Sequence, residues 1–180
     1  DDNDLRPSEA REHIIGKLNA ALSACLDLKI ESLGNIDENK GTLYFKKSDA
    51  DIVFDYNVLS AGEKEVVDIL LDLYLRKDTY TDSVYIIDEP ELHLNTSIQR
   101  ALLIEINKIV PKNCQIWIAT HSIGFLRAIQ EELKNESQII EFKSGNKWAS
   151  EVFVLQPMQI SRSEWQNLFS TALDDLAKLI

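Results

Sequence analysis

The stretch Val84-Tyr85-Ile86-Ile87-Asp88-Glu89-Pro90-Glu91 decides the fold, because a continuous apolar run ends there in two adjacent carboxylates. A short apolar run of this kind is typical of a strand covered on both faces, as in the parallel core of an α/β sheet. Ligands of open α/β sheets bind beyond the carboxyl ends of the strands, so Asp88 and Glu89 are predicted to lie at a binding edge. One carboxylate can hold hydrated Mg²⁺, and the other can orient or deprotonate a water molecule. The alternative is a strand that ends in a solvated acidic turn.

Strand and helix patterns alternate on both sides of this stretch. One helix is predicted to begin at Pro7-Ser8-Glu9, and further helices cover 66–75, 98–110, 123–133 and 163–180. Strands are predicted at 26–30, 42–45, 52–56, 83–87, 115–119, 138–142 and 151–155. The alternation in the second half indicates an α/β fold whose mostly parallel core sheet is flanked by helices. The three early strands predict a small antiparallel region on the N-terminal side.

Composition indicates an ordinary globular protein of one domain. The chain has 180 residues, 19 Lys+Arg against 30 Asp+Glu, a formal net charge of −11 and 44% hydrophobic residues. Recurrent apolar runs exclude disorder as the main state, and 6 Gly and 4 Pro exclude a collagen-like or low-complexity chain. The charge disfavours a protein that coats nucleic acid, and no apolar run is long enough to span a bilayer.

The cysteines indicate the cellular compartment of the protein, and the methionine indicates whether the sequence begins at a translation start. Cys25 and Cys114 are too few for a disulfide framework or a structural zinc site, and both lie in apolar stretches. We expect buried free thiols in a reducing, cytoplasmic compartment. The only methionine is Met158, so residue 1 is not a translation start. The chain is therefore expected to be a fragment or a processed or trimmed product.

A second segment with candidate chemistry is Leu59-Ser60-Ala61-Gly62-Glu63-Lys64, which directly precedes a predicted helix. A hydroxyl, a glycine and a helix N-terminus together favour an anion site, because backbone amides and the helix dipole attract negative charge. The simpler interpretation is a capping box, with Ser60 as the N-cap and Glu63 three residues later. The two interpretations are compatible, since a capped helix start can also receive a phosphate.

A third segment, Ile118-Ala119-Thr120-His121-Ser122, lies at the end of the next predicted strand. If that strand pairs beside the strand of Asp88, His121 emerges near Glu89. An imidazole there can bond a phosphate oxygen or polarise a water molecule. The alternative is a histidine that caps the following helix.

In this order the three segments resemble the C-terminal half of an ABC-type ATPase domain, which is a P-loop NTPase. Leu59–Lys64 is similar to the signature motif, Ile86–Glu89 to Walker B, and His121 to the switch histidine. Glu89-Pro90-Glu91-Leu92-His93-Leu94-Asn95 is similar to the version in OLD-like and SMC-related ATPases. The motifs cover roughly 57–135, and a looser resemblance continues to 155.

The resemblance implies a set of nucleotide-binding residues: Ser60, Ala61, Gly62, Glu63 and Asn95. Ser60 and Gly62 would bind the γ-phosphate held by an opposing subunit. Asn95 stands where many members have the D-loop aspartate, and this departure leaves its D-loop role open.

The resemblance also implies the catalytic and metal-binding residues. Asp88 would support Mg²⁺ through water, and Glu89 would be the base for the attacking water. His121 would touch the γ-phosphate. Glu91 and His93 are expected to be positional or interface residues rather than metal ligands.

The phosphate cradle of such ATPases is missing from the sequence. A P-loop needs G-x-x-x-x-G-K-[ST], but Gly16-Lys17 has Arg11 at the first glycine position and Leu18 in place of Ser or Thr. The resemblance thus implies ATP and Mg²⁺ as cofactors, an upstream Walker A segment, and a second head as homodimer partner. Its output would be DNA handling or anti-phage defence, with a nuclease or toxin as partner, and DNA contact itself is left open.

The expected organisation is a single domain, with a peripheral helix and antiparallel strands in 1–57, the motif core in 58–155 and a C-terminal helix in 156–180. The favoured function is an ATP-hydrolysing switch that closes two heads around ATP, and the chain alone is expected to be inactive without Walker A. One alternative is a non-catalytic dimerisation or effector-docking module. Another is a Mg²⁺-dependent phosphohydrolase that uses Asp88, Glu89, Glu91 and His93.

Overall fold

The computed structural model describes residues 7–34, 41–145 and 148–155. The chain divides into two compact units, Asp1–Ala119 and Thr120–Ile180. The first contains α1 (Pro7–Cys25), β1 (Lys29–Leu33), β2 (Leu43–Lys46), β3 (Val53–Asp55), α2 (Ala61–Arg76), β4 (Val84–Asp88), α3 (Thr96–Ile109) and β5 (Gln115–Ala119). The second contains α4 (Ile123–Glu132), β6 (Ile139–Gly145) and β7 (Trp148–Leu155). The helix predicted at 163–180 lies outside the described residues, and the single-domain organisation stays a prediction.

The N-terminal sheet is antiparallel, with the strand order β1-β2-β3, as the sequence predicts. Phe45 pairs with Ile30 on one side and with Phe54 on the other, and its side chain is fully buried. The first strand begins at Lys29 instead of 26 because the amide of Leu26 still bonds to the carbonyl of Leu22, which continues the turn of α1.

Three helices and this sheet share one hydrophobic core. Helix α1 packs against α2 and α3, and α2 also packs against α3. The core is mostly leucine, isoleucine and valine, including Leu22, Leu28, Val66, Val67, Leu70, Leu102 and Ile106. Asn19 ties α1 to β1, because its side chain bonds both the amide and the carbonyl of Ile30 at 2.7 and 3.0 Å. This core holds α2 and α3 in place, and both helices flank the motifs.

Strands β4 and β5 form a parallel pair in register from Val84–Gln115 to Asp88–Ala119. One face of the pair, which includes Tyr85 and Ile87, packs against the core. The other face is exposed: Val84 is 51%, Ile86 77% and Trp117 55% accessible. The prediction of strands covered on both faces is therefore wrong for this pair, since only the inner face meets the core.

The second unit contains one helix and one hairpin. Helix α4 follows Ser122, and β6 pairs with β7 in antiparallel register from Ile139–Leu155 to Gly145–Trp148. Both strands were predicted, and the hairpin is longer than its apolar runs alone indicated. Residues 146 and 147, which connect the two strands, lie outside the described residues. Together with the first unit, this arrangement confirms an α/β fold with parallel strands and a small antiparallel N-terminal sheet.

Among the helices of the described ranges, none combines the length and the apolar character that a bilayer span requires.

Candidate functional site

The start of α2 is a complete capping box, as the sequence predicts. The Ser60 hydroxyl accepts from the Glu63 amide at 3.3 Å, and Glu63 Oε2 accepts from the Ser60 amide at 2.9 Å. The Ser60 hydroxyl also donates to Glu63 Oε2 at 2.8 Å. Ala61 is the first helical residue and is exposed, whereas Gly62 is buried. The segment thus presents a well-ordered helix N-terminus, the structure that both sequence interpretations require.

A basic residue whose sequence context indicates only solvated surface charge contacts this capping box. Lys47, between β2 and β3, lies 2.9 Å from Glu63 Oε1. Burial raises the pKa of Glu63, but the hydrogen bonds from Lys47 and Ser60 outweigh it and leave the pKa below its ordinary value. Glu63 therefore carries its negative charge at neutral pH, close to the hydroxyl assigned to a phosphate.

The segment before the capping box is braced on α2. A 3₁₀ turn at Tyr56–Val58 precedes it, and the Tyr56 hydroxyl donates to Asp68 at 2.6 Å. Burial and then this hydrogen bond raise the pKa of Tyr56 to about 12. Lys64 donates to the Asn57 carbonyl at 3.1 Å and lies 5.5 Å from the centroid of the Tyr56 ring. These contacts fix the direction from which the chain enters α2.

The two adjacent carboxylates lie where the parallel pair ends. Asp88 is the last residue of β4 and is exposed, and Glu89 is half-buried. The Glu89 amide donates to the Ala119 carbonyl at 2.9 Å, so the pairing with β5 continues one residue beyond the strand. Glu89 has φ 45°, in the left-handed region, at a cost of the order of 1 kcal/mol for a residue with a Cβ. Such strain at the end of a strand is common at ligand sites.

The residues after Glu89 form two consecutive turns that lead into α3. The Leu92 amide donates to the Glu89 carbonyl at 3.1 Å, and the Leu94 amide to the Glu91 carbonyl at 3.0 Å. His93 has φ 62°, the second left-handed residue in this loop. Asn95 is the N-cap of α3, so its side chain serves the helix in this structure. We call the segment 89–94 the carboxylate loop.

The capping box and the carboxylate loop meet at Gly62. A Cβ on Gly62 would lie 2.6 Å from the His93 carbonyl oxygen and 3.1 Å from Leu94 Cδ2. The charges of α2 and the loop also interact. Burial and then Asp68 raise the pKa of Glu65 on α2, and His93 of the loop partly opposes this rise. The first unit therefore brings the first turn of α2 into direct contact with the loop that follows Asp88 and Glu89.

The third motif begins in the first unit with Ile118 and Ala119, and its His121 belongs to the second unit. Strand β5 pairs beside β4, which confirms the condition under which His121 was expected near Glu89. His121 itself is exposed, and its approach to Glu89 stays a prediction. The capping alternative is assigned to a different residue: the Ser122 hydroxyl accepts from the Gly124 amide at 3.0 Å and is the N-cap of α4.

The donor set at the end of β4 suits a hydrated hard cation. Mg²⁺ usually keeps several waters and takes one or two carboxylates plus substrate phosphates, and the exposed Asp88 carboxylate fits this role. In the described part of the chain, no three His, Cys, Asp or Glu side chains are grouped so as to hold a metal ion by themselves. No protein cage for an ion is thus formed by the described residues, and Asp88 would share any Mg²⁺ with water and phosphate.

Fold and motifs together define a domain of the ABC-type ATPase class. Residues 1–127 match the family model described as "AAA domain, putative AbiEii toxin, Type IV TA system". The match covers more than half of the chain, and the chain belongs to this family. No curated protein matches the chain.

Solved structures of SMC heads share the fold. A structure described under ATP-driven dimerization and DNA-stimulated activation of SMC ATPases has a TM-score of 0.63 at 15% identity, covering 89% of this chain and 91% of that one. The Smc head of Pyrococcus furiosus bound to the C-terminal domain of ScpA has a TM-score of 0.62 at 16% identity. The match covers 96% of this chain and 39% of that one. The Smc head of Pyrococcus yayanosii, with a coiled coil and joint, has a TM-score of 0.64 at 15% identity. The match covers 92% of this chain and 30% of that one. The chain thus spans less than half of the two Pyrococcus chains, and identities this low concern the fold alone.

Proposed function

We propose that this chain is part of an ATP-hydrolysing head that closes with a second copy around ATP. The observation that carries the proposal is the contact between the start of α2 and the carboxylate loop, at Gly62 and His93. In a chain of an AAA family, this contact joins a helix N-terminus suited to phosphate with a strand end suited to Mg²⁺ and water. ATP-driven dimerization, described for SMC ATPases of similar fold, supports the same arrangement.

Each motif residue has a separate task in this proposal. Asp88 holds Mg²⁺ through water at the end of β4, and Glu89 accepts the proton of the attacking water. Ser60 and Gly62, with their neighbours in the capping box, bind the γ-phosphate of the opposing head. His121 donates to the same phosphate. Mg²⁺ neutralises charge on the phosphates when it is bound.

The exposed face of the β4–β5 pair supports the proposed Walker A partner. Val84, Ile86 and Trp117 together form an apolar surface on strands that, in parallel sheets, are normally covered on both faces. The sequence lacks a P-loop while it keeps the carboxylate pair. We propose that the segment with the phosphate cradle covers this face and adds strands to the sheet, so that the cradle meets Asp88 at the common strand edge.

The test is Mg-ATP turnover by the chain, alone and mixed with its upstream segment. We expect turnover only in the mixture, and we expect Glu89→Gln to abolish it because Glu89 is the proposed base for the attacking water. Glu31→Gln makes the same chemical change at an exposed position of β1 and should leave turnover unchanged. Trp117 emission should shift to shorter wavelength when the segment covers the sheet. Undiminished turnover in Glu89→Gln would exclude the base assignment.

The second candidate is a non-catalytic dimerisation or docking module. One observation favours it: the Ser60 hydroxyl is already engaged by Glu63 at 2.8 Å, so a phosphate must compete with a carboxylate. Assembly with the upstream segment but without Mg-ATP binding would support this candidate. In either case the family description fits a toxin–antitoxin system, and we propose that a toxin, nuclease or DNA effector lies in another domain or chain.

A further inference from the structure

Gly62 is packed where no side chain fits. The site of its missing Cβ lies 2.6 Å from the His93 carbonyl oxygen, well inside van der Waals contact. Protein interiors are close-packed, so an added methyl group must displace something. Gly16, in α1, offers a contrast, because a Cβ there would have no atom within 4 Å. Gly62 is therefore required by the neighbouring loop, independently of any nucleotide.

The contacts of the carboxylate loop with α3 and the core restrict the directions in which the loop can move. The Leu94 carbonyl accepts from the Gln99 side chain of α3 at 2.9 Å, and Gln99 is buried. The Leu94 side chain packs against the hydrophobic core. Movement of His93 towards α3 is thus opposed by a buried hydrogen bond and by core packing, which leaves movement back along the loop towards Glu89.

The other end of the loop is the strained residue. Glu89 has φ 45°, and its carbonyl accepts from the Leu92 amide at 3.1 Å, one residue before His93. A residue held in a sparsely populated conformation keeps it only while its surroundings enforce it. Displacement of the His93 carbonyl would therefore change the backbone of Glu89 and the direction of its carboxylate.

We infer that Gly62 is a positioning residue for Glu89 of the same chain, acting through the His93 carbonyl. The inference rests on the proposed function, in which Gly62 otherwise serves only the phosphate of the opposing head. The inference gives Gly62 a second role within its own head. The start of α2 and Glu89 of that head therefore cannot move independently.

Mixing variant heads separates the two roles. Each ATP site of the proposed dimer is composite, because it combines Glu89 of one head with Ser60 and Gly62 of the other. In a dimer of one Glu89→Gln head and one Gly62→Ala head, one of the two composite sites therefore keeps an intact Glu89 and an intact Gly62. If Gly62 acted only across the dimer, this site would hydrolyse Mg-ATP and the mixture would exceed either variant alone. We expect no recovery, because the Glu89 of that site belongs to the head whose Gly62 is changed. Recovery would overturn the inference.

Two further mixtures make the result interpretable. Ser60→Ala mixed with Glu89→Gln should recover turnover, because the Ser60 hydroxyl acts across the dimer. Gly16→Ala mixed with Glu89→Gln should equal wild type mixed with Glu89→Gln. Failure of the Ser60→Ala mixture would count against the proposed composite site itself, and the nucleotide-free measurement below would then decide the inference.

The nucleotide-free measurement uses amide chemical shifts of the chain alone. Gly62→Ala should shift the Glu89 amide and its neighbours in the carboxylate loop, whereas Gly16→Ala should not. His93→Gly, which can adopt other backbone angles freely, should restore the Glu89 shift when combined with Gly62→Ala. Shift changes that stay within α2, or a double variant without rescue, would overturn the inference.

Discussion

Lys47 donates to Glu63 Oε1 across 2.9 Å, and this ion pair joins the connection between β2 and β3 to the first turn of α2. The opposite carboxylate oxygen is held by the amide and the hydroxyl of Ser60. The antiparallel sheet, in which the sequence shows no motif, therefore supports the capping box directly.

Loss of Lys47 should lower the stability of the fold near neutral pH and weaken the dependence of that stability on acid. The pKa of Glu63 lies below its ordinary value, so the carboxylate stabilises the folded chain above its unfolded pKa, and the contribution is lost as pH falls through the folded pKa. Lys47→Met removes one cause of the lowered pKa and brings the folded pKa of Glu63 closer to the unfolded one, so the contribution near neutral pH shrinks and less of it is lost in acid. The measurement is the urea midpoint from pH 7 to pH 3. Lys46→Met breaks the exposed pair with Asp51, 3.2 Å long, and serves as control; equal acid profiles for the two variants would contradict the prediction.

The two N-caps of the site should contribute similar stability. Ser60→Ala and Asn95→Ala each remove a side-chain acceptor from a helix start, which costs about 1 kcal/mol. The measurement is the free energy of unfolding in urea for each variant. Ser23→Ala, at an exposed position inside α1, should change it by less than about 0.5 kcal/mol. An Asn95→Ala variant as stable as wild type would show that Asn95 is not needed as a cap.

The same truncation at two adjacent residues of β4 should lower the free energy of unfolding by very different amounts. Ile87 packs against the core, so Ile87→Ala should cost roughly 2 kcal/mol or more. Ile86 is 77% exposed, so Ile86→Ala should cost less than about 0.5 kcal/mol in the chain alone. After mixing with the Walker A segment, Ile86→Ala should weaken assembly, measured by titration of the segment. Equal costs in the chain alone would mean that the outer face is covered in solution.

The two thiols should differ in reactivity. Burial, and then the nearby Glu105, raise the pKa of Cys25 to about 12, so almost no thiolate forms at pH 8. Cys114 is also free but only half-buried. We expect a disulfide reagent to titrate one thiol in the folded chain and both after unfolding, with Cys114→Ser abolishing the native reaction. Rapid native labelling of the Cys114→Ser variant would contradict this expectation.

Sequence reasoning was most successful where the pattern is local. The apolar runs located β4 and β5 to within a residue, and the spacing of Ser60 and Glu63 was sufficient to predict the capping box. Burial of strand faces is different, because it depends on which other strands and helices are present. The continuous apolar run in 83–87 therefore could not show that the side chain of Ile86 is exposed.

The contacts that organise the site join distant parts of the chain. Lys47 reaches Glu63 from the connection between β2 and β3, and Gly62 meets His93 because the loop after β4 contacts the start of α2. Neither pair has a spacing that distinguishes it from an ordinary surface charge or loop residue. The roles of Ser60, Asp88, Glu89 and His121 were inferred from resemblance and stay predictions.

The apolar outer face of β4 and β5 also bears on the fate of the chain in a cell. Exposed apolar strands are what chaperones and proteases recognise, so copies without a covering segment should be removed faster than covered ones. If the proposed Walker A segment is a separate chain, the level of assembled heads would then follow the scarcer of the two chains, and turnover of the excess chain would correct an imbalance in their synthesis.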